Sequence, residues 1–221
     1  MILEFKNVSG TTKHFNLQNI TFSLETGYIM GLAGKNGAGK STLMDYIMNP
    51  KQQYKGEILI EGTNIREKHH EMMNRIGFVS DNHTGFFMER TAKENAELLG
   101  MFYKDWDMAV FHTAMEKMSL SSRRVVGRMS RGELFKFQTA FAMAHKPALY
   151  LIDEATAGMD PVFRVDYFRI LQEIIADESS SILMTSHLQD EMQRKMDFVG
   201  VLEDGKLIQF GEAIDIFGKY Q

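Results

Sequence analysis

Apolar and polar positions alternate with a period of two at the start of the chain and again towards its end, with a different spacing in between. Residues 2 to 8 and 19 to 24 read as two short strands. The second sets Ile20, Phe22 and Leu24 on one face and Asn19, Thr21 and Ser23 on the other, before a turn at Glu25-Thr26-Gly27. This alternation predicts half-buried strands paired antiparallel. The run Tyr28-Ile29-Met30-Gly31-Leu32-Ala33 is apolar on both faces, as in a central strand covered by helices, and it leads into a glycine-rich loop. Further strands are expected at 56 to 60 and 76 to 80. From about residue 81 to 146 the spacing becomes helical, with Ala92, Ala96 and Leu99, then Met108, Phe111, Met115 and Met118, at three- and four-residue intervals. The alternation then resumes. A strand is expected at 148 to 152, a helix at 161 to 176, a strand at 181 to 185, and a hairpin joining 199–201 to 207–210 through Asp204-Gly205. The pattern predicts an α/β fold with an inserted helical part.

Composition changes this picture little but narrows the chemistry. The chain has 221 residues, 44% apolar and 24% charged, with net charge -4 and no cysteine. A domain of this size buries roughly 70–75% of its unfolded surface and needs no disulfide or metal staple. Without cysteine there is no thiol nucleophile, thiolate zinc site or iron–sulfur cluster. The start, Met1-Ile2-Leu3-Glu4-Phe5-Lys6, lacks the pattern of a signal peptide, and no run reaches the roughly 18–20 apolar residues of a membrane span. A pI near 6.0 and the lack of a basic block argue against nucleic acid as a partner. The expected location is the cytoplasm.

The glycine-rich loop carries the most specific signal. Gly34-Lys35-Asn36-Gly37-Ala38-Gly39-Lys40-Ser41-Thr42 matches G-x-x-x-x-G-K-[ST] after a buried strand and before a helix. Backbone N–H groups of such a loop turn inward around phosphate oxygens, and the helix N-terminus favours their charge. Lys40 is expected on the β- and γ-phosphates and the Ser41 hydroxyl on magnesium. A nucleoside triphosphate site spanning Gly34, Asn36, Gly37, Ala38, Gly39, Lys40, Ser41 and Thr42 follows. A second apolar strand ends in Asp153-Glu154. Neighbours on a strand point apart, so the two carboxylates take separate roles: Asp153 towards the magnesium shell and Glu154 as general base for an attacking water. An ordinary acidic strand end is the alternative for the pair on its own.

In order along the chain stand the P-loop, Met129-Ser130-Arg131-Gly132-Glu133, Leu151-Ile152-Asp153-Glu154, Ala157-Gly158-Met159-Asp160 and Thr185-Ser186-His187. This order resembles the nucleotide-binding subunit of an ABC transporter over the entire chain. The resemblance implies a P-loop NTPase core with a mixed sheet, an N-terminal antiparallel β subdomain and an inserted α-helical subdomain. In one domain over 1–221, the core and β subdomain would take about 1–80 and 147–221, and the helical subdomain about 81–146. It further implies ATP and Mg2+, and two subunits packed head to tail. Each ATP would lie between the P-loop of one and the signature residues Ser130, Arg131, Gly132 and Glu133 of the other. Ser130 and Glu133 also read as a capping box at the start of a helix, with or without a ligand. His187 corresponds to the switch histidine beside the γ-phosphate. Asp160 corresponds to the D-loop aspartate, and it also reads as an N-cap before Pro161.

The chain departs from the family at several points. Asp81 stands where a glutamine is usual, and is expected as a further magnesium ligand. Arg131 replaces a glycine, either to contact phosphate or ribose or to lie along the helix. No tyrosine occupies the adenine-stacking position in Thr11-Thr12-Lys13-His14-Phe15, so Phe15 is the candidate, with His14 next. The apolar Phe86-Phe87-Met88 stretch falls where the family docks a short helix of its membrane subunit, with burial in the helical part as the rival role. The 17 methionines read mostly as adaptable core filler. The reading is an ATP-hydrolysing subunit on the cytoplasmic face of the membrane, of exporter type, with a second ATP-binding subunit and transmembrane permease subunits as partners. The alternatives are a soluble ABC ATPase acting on ribosomes or nucleic acid, and a P-loop kinase.

Overall fold

A computed structural model describes residues 1–11, 16–49, 51–81, 85–153, 159–186 and 189–218. Strands β1 (Leu3–Thr11) and β2 (Asn16–Leu24) pair antiparallel, as their alternation predicts, with Phe5 opposite Phe22. Strands β4 (Lys55–Ile60) and β5 (Thr63–Asn64) complete a four-stranded sheet in the order β2-β1-β4-β5. The second sheet has six strands. It is built from β3 (Ile29–Ala33), β6 (Ile76–Ser80), β7 (Leu149–Asp153), β8 (Ser181–Ser186), β9 (Phe198–Glu203) and β10 (Lys206–Glu212), in the order β10-β9-β3-β8-β7-β6. From β9 to β6 all pairs are parallel, while β10 joins β9 antiparallel through the predicted Asp204-Gly205 turn. Both turn residues have positive φ, 45° and 79°, the combination that matches the twist of a two-residue hairpin.

Strand alternation divides the central sheet between two cores. Met30, Leu32, Leu149, Leu151 and Leu183 face one way, onto helix α1 (Lys40–Met48) and the small sheet. Ile29, Tyr150, Ile152, Ile182 and Met184 face the other way. They meet α6 (Pro161–Ile175), α7 (Gln189–Lys195) and α8 (Ala213–Phe217). With helices or sheet on both faces, these strands have no polar side, hence their unbroken apolar runs.

A third core lies among α3 (Ala92–Gly100), α4 (Met108–Lys117) and α5 (Arg131–Ala144), and it contains Ala92, Ala96, Phe111, Met115 and Met118 from the predicted stripe. A short helix α2 (His69–Met73) precedes β6. Helix α5 belongs to two cores: Phe135 and Ala142 face the central sheet, while Phe137, Ala140 and Phe141 face the helical cluster. Phe86 is packed edge-on against Phe137 and Phe141, whereas Phe87 and Met88 remain exposed. The predicted apolar stretch therefore divides between core and surface. Of the methionines, Met30, Met44, Met72, Met115, Met118, Met184, Met192 and Met196 are buried, as expected of gap-filling side chains.

Candidate nucleotide site

The C-terminal ends of the parallel strands carry the site. β3 runs into the loop at 34–39, where Gly37 and Gly39 have φ of 84° and 110°, a region closed to most side chains. Gly39 is the N-cap of α1 and offers no capping side chain, and the first turn holds no acidic residue. A helix start left in this way is suited to an anion. Lys40 is buried, and its ammonium donates to the carbonyls of Gly34 at 2.7 Å and Lys35 at 3.2 Å, folding the loop around its own cation.

Asp153 ends β7 next to this loop. Its Oδ1 accepts from Ser41 Oγ at 3.2 Å and from Thr185 Oγ1 at 2.7 Å. Three elements, α1, β7 and β8, thus converge on one carboxylate oxygen. Thr185 is the residue that sequence reasoning left out of the site. It stands two positions before the motif histidine in the sequence, but only the neighbouring of β7 and β8 in the sheet brings its hydroxyl to Asp153. Among the described residues no cluster of three or more His, Asp or Glu side chains could hold a metal. A hydroxyl and a single carboxylate nevertheless fit magnesium, which takes one or two protein oxygens and fills its remaining positions with phosphate and water.

The signature segment folds as its spacing predicts. Ser130 Oγ accepts from the Glu133 N–H, and Glu133 Oε2 accepts from the Ser130 N–H at 2.8 Å, closing a capping box at the start of α5. Gly132 has a packing reason as well: a Cβ there would lie 2.9 Å from the Phe163 ring of α6. Asp160 caps α6, accepting from the Phe163 N–H at 2.9 Å with Pro161 next in line. The same phenylalanine therefore joins the start of α5 to the Asp160 turn.

Asp81, expected on magnesium, and Arg131, expected on phosphate, ribose or the helix surface, are paired with each other, with Arg131 Nε 2.8 Å from Asp81 Oδ1. Buried Gln138, a second residue missed from sequence, donates to the Ser80 carbonyl at 2.8 Å and accepts from its N–H at 3.0 Å. Its only sequence signal is a polar residue within the apolar stripe of α5. Glu154, His187, Phe15 and His14 lie outside the described residues, as do Ala157 and Gly158.

A family profile described as ABC transporter matches residues 17–157, well over half of the chain. The chain belongs to this family. The cassette is 29% identical over 204 residues to the ABC transporter ATP-binding protein YtrB of Bacillus subtilis (strain 168), covering 92% of this chain and 69% of that relative. Its fold superposes with a TM-score of 0.86 and 26% identity on a solved ATP-binding subunit of an ABC transporter, across 100% of this chain and 93% of the other. It shares its fold, at 20% identity and a TM-score of 0.83, with the ATP-binding cassette MJ0796, solved as a dimer in a post-hydrolysis state with ADP and Pi. That alignment covers 96% of this chain and 98% of the other. Among the described residues of the cassette, no helix is long and apolar enough to cross a membrane.

Proposed function

We propose that this cassette hydrolyses Mg-ATP between two copies of itself, or between itself and a related chain, and that closing and reopening of the pair drives separate transmembrane subunits. The observation that carries the reading is the convergence of Ser41, Asp153 and Thr185 beside the uncapped start of α1. The loop N–H groups and Lys40 would bind the β- and γ-phosphates, with Lys40 exchanging its two carbonyl partners for phosphate oxygens. Ser41 and Asp153 would hold the magnesium ion, which supplies charge neutralisation at the phosphates. Thr185 keeps the Asp153 carboxylate turned towards Ser41. Glu154, next on the chain, would take a proton from the attacking water, and His187 would hold the γ-phosphate end. Ser130 and its neighbours at the start of α5 would close on the nucleotide of the second copy, a reading supported by the solution of a protein of this fold as a dimer with ADP and Pi.

For the membrane partner, the support is a groove of about 520 Å³ lined by Met73, Phe86, Phe102, Tyr103 and Phe141. Phe102 and the adjacent Met101 are 73% and 75% exposed, and an apolar patch of this kind suits a short helix of a permease. On this reading the cassette sits on the cytoplasmic face of the membrane.

The test is ATP turnover with the Glu154→Gln variant beside the wild type. Retained ATP binding with turnover lost is expected, because the phosphate cradle stays and the base goes. Normal turnover in the variant removes Glu154 from the mechanism. Recovery of the tagged chain from solubilised membranes with a stoichiometric polytopic protein is expected, while recovery with ribosomes or nucleic acid refutes the transport coupling.

A further inference from the structure

The inner end of the groove between α2, β6 and α5 holds nitrogen atoms without partners. His145 is the C-cap of α5 and only 3% exposed, yet its Nδ1 has no hydrogen-bond partner among the described residues. Nε2 of His69, on α2, is likewise buried and unpartnered, and both rings line the same cavity of about 520 Å³. A buried polar atom left unpaired is costly, so its presence in a cavity wall points to a ligand. The walls are tied together. The Asn74 side chain, at the end of α2, donates to the His70 carbonyl at 3.2 Å and accepts from the Lys104 N–H at 3.1 Å, fixing α2 to the chain that leaves α3. Next to Lys104, the Tyr103 ring stacks on His145 with centroids 4.1 Å apart and planes 20° from parallel. Burial keeps His145 at about 4, so near pH 7 its imidazole is neutral, with one donor and one acceptor nitrogen. The Asn74 backbone carbonyl favours a proton on the ring. Because Nδ1 meets no partner, that proton belongs on Nε2, and Nδ1 is the bare acceptor.

We propose that this inner end binds a small, uncharged, planar aromatic molecule through an N–H or O–H group that His145 Nδ1 accepts. The cavity volume lies within the range of small-molecule sites, about 300–1,000 Å³. Its walls are ring faces, from Phe78, Phe86, Tyr103 and Phe141, against which a flat ring packs by stacking or by its edge. No Asp, Glu, Lys or Arg stands among the described lining residues, hence the uncharged class. Binding of such a molecule is independent of the transport reading, whereas its consequence rests on that reading. The ligand fills space that the permease helix would enter, so its arrival would release the cassette from its membrane subunit.

The experiment titrates indole into the full chain by calorimetry, with 1-methylindole, in which a methyl replaces the N–H hydrogen, as the control. Saturating ADP is present, so that neither probe is read at the nucleotide site. Indole is expected to bind about tenfold more tightly than 1-methylindole, the effect of one buried hydrogen bond. His145→Phe keeps a ring against Tyr103 and removes the acceptor, and is expected to bind the two probes equally. In the wild type the nitrogen NMR resonance of His145 Nδ1 should move with indole and stay in place with 1-methylindole, a readout that needs no variant. Absence of indole binding, equal binding of both probes to the wild type, or a preference that survives in His145→Phe overturns the site. The competition is read separately, as recovery of the polytopic membrane protein with the tagged chain, which indole should reduce. Unchanged recovery beside confirmed indole binding overturns the competition and leaves the site standing.

Discussion

Thr185→Val isolates the hydroxyl that orients Asp153. The substitution keeps shape and branching and exchanges one hydroxyl for a methyl at a fully buried position. It removes the 2.7 Å bond to Asp153 Oδ1 and leaves Ser41, at 3.2 Å, as that oxygen's remaining hydroxyl donor among the described residues. A hydrogen bond to a charged group is worth about 1.5–3 kcal/mol. Burying the added methyl returns about 0.8 kcal/mol. The net loss is about 1–2 kcal/mol, and in a chain of this size the thermal midpoint falls by about 2–8 °C. Function should suffer more than stability. A carboxylate that has lost its orienting donor binds its metal about 10–100-fold more weakly. The assay is steady-state ATP hydrolysis against magnesium concentration at saturating ATP, paired with thermal unfolding by circular dichroism. Half-maximal magnesium should rise about tenfold or more in Thr185→Val and return close to wild type in Thr185→Ser, which restores the hydroxyl without the methyl. An unchanged magnesium dependence in a folded Thr185→Val protein refutes the orienting role.

Lys40→Ala should weaken nucleotide binding by about 10–100-fold, the loss of a charge-assisted contact, as read by titration with a fluorescent nucleotide; unaltered affinity contradicts the P-loop assignment. Gly132→Ala places a methyl 2.9 Å from the ring of Phe163, the residue whose N–H the Asp160 cap accepts, so the ring must shift. The strain of about 1–3 kcal/mol is partly offset by the better helix propensity of alanine, so a small stability change with a clear loss of ATPase rate is expected. Equal loss of both, in parallel denaturation and turnover measurements, removes the functional part of that argument. Burial holds His145 down at about 4, against 6.5 for a free imidazole. The unfolded chain therefore binds the extra proton first, and the cassette should lose stability as pH falls from about 6.5 to about 4, by up to about 3 kcal/mol. His145→Phe should flatten that part of the urea-midpoint profile, and an unchanged slope contradicts a buried neutral histidine.

Features that depend on near neighbours in the chain were legible in the sequence. The strand, loop and helix around Gly34 to Thr42 follow from a two-sided apolar run, glycines at turns of positive φ and a lysine that can fold back over the loop. The capping box of Ser130 and Glu133 and the Asp160-Pro161 start of α6 join residues no more than three positions apart, so spacing alone reveals them. The hairpin at Asp204-Gly205 and the helical stripe from Ala92 to Met118 are legible for the same reason.

Contacts between distant segments were decided only by the tertiary structure. Nothing in the spacing of Asp153 and Thr185 says that β7 and β8 are neighbours, because strand order is set by how helices cover the two faces of the sheet. Asp81 and Arg131 could each be flagged as departures from a pattern, but their meeting depends on α5 lying across the end of β6, where Gln138 fixes it to Ser80. The division of Phe86 from Phe87 and Met88 is of the same kind, since an aromatic run is apolar either way and only the position of Phe137 and Phe141 selects the ring that is buried. The sequence determines which groups can do chemistry, because that is a property of residue types and short-range geometry. Which of those groups meet is a property of packing, and packing is settled by the whole chain at once.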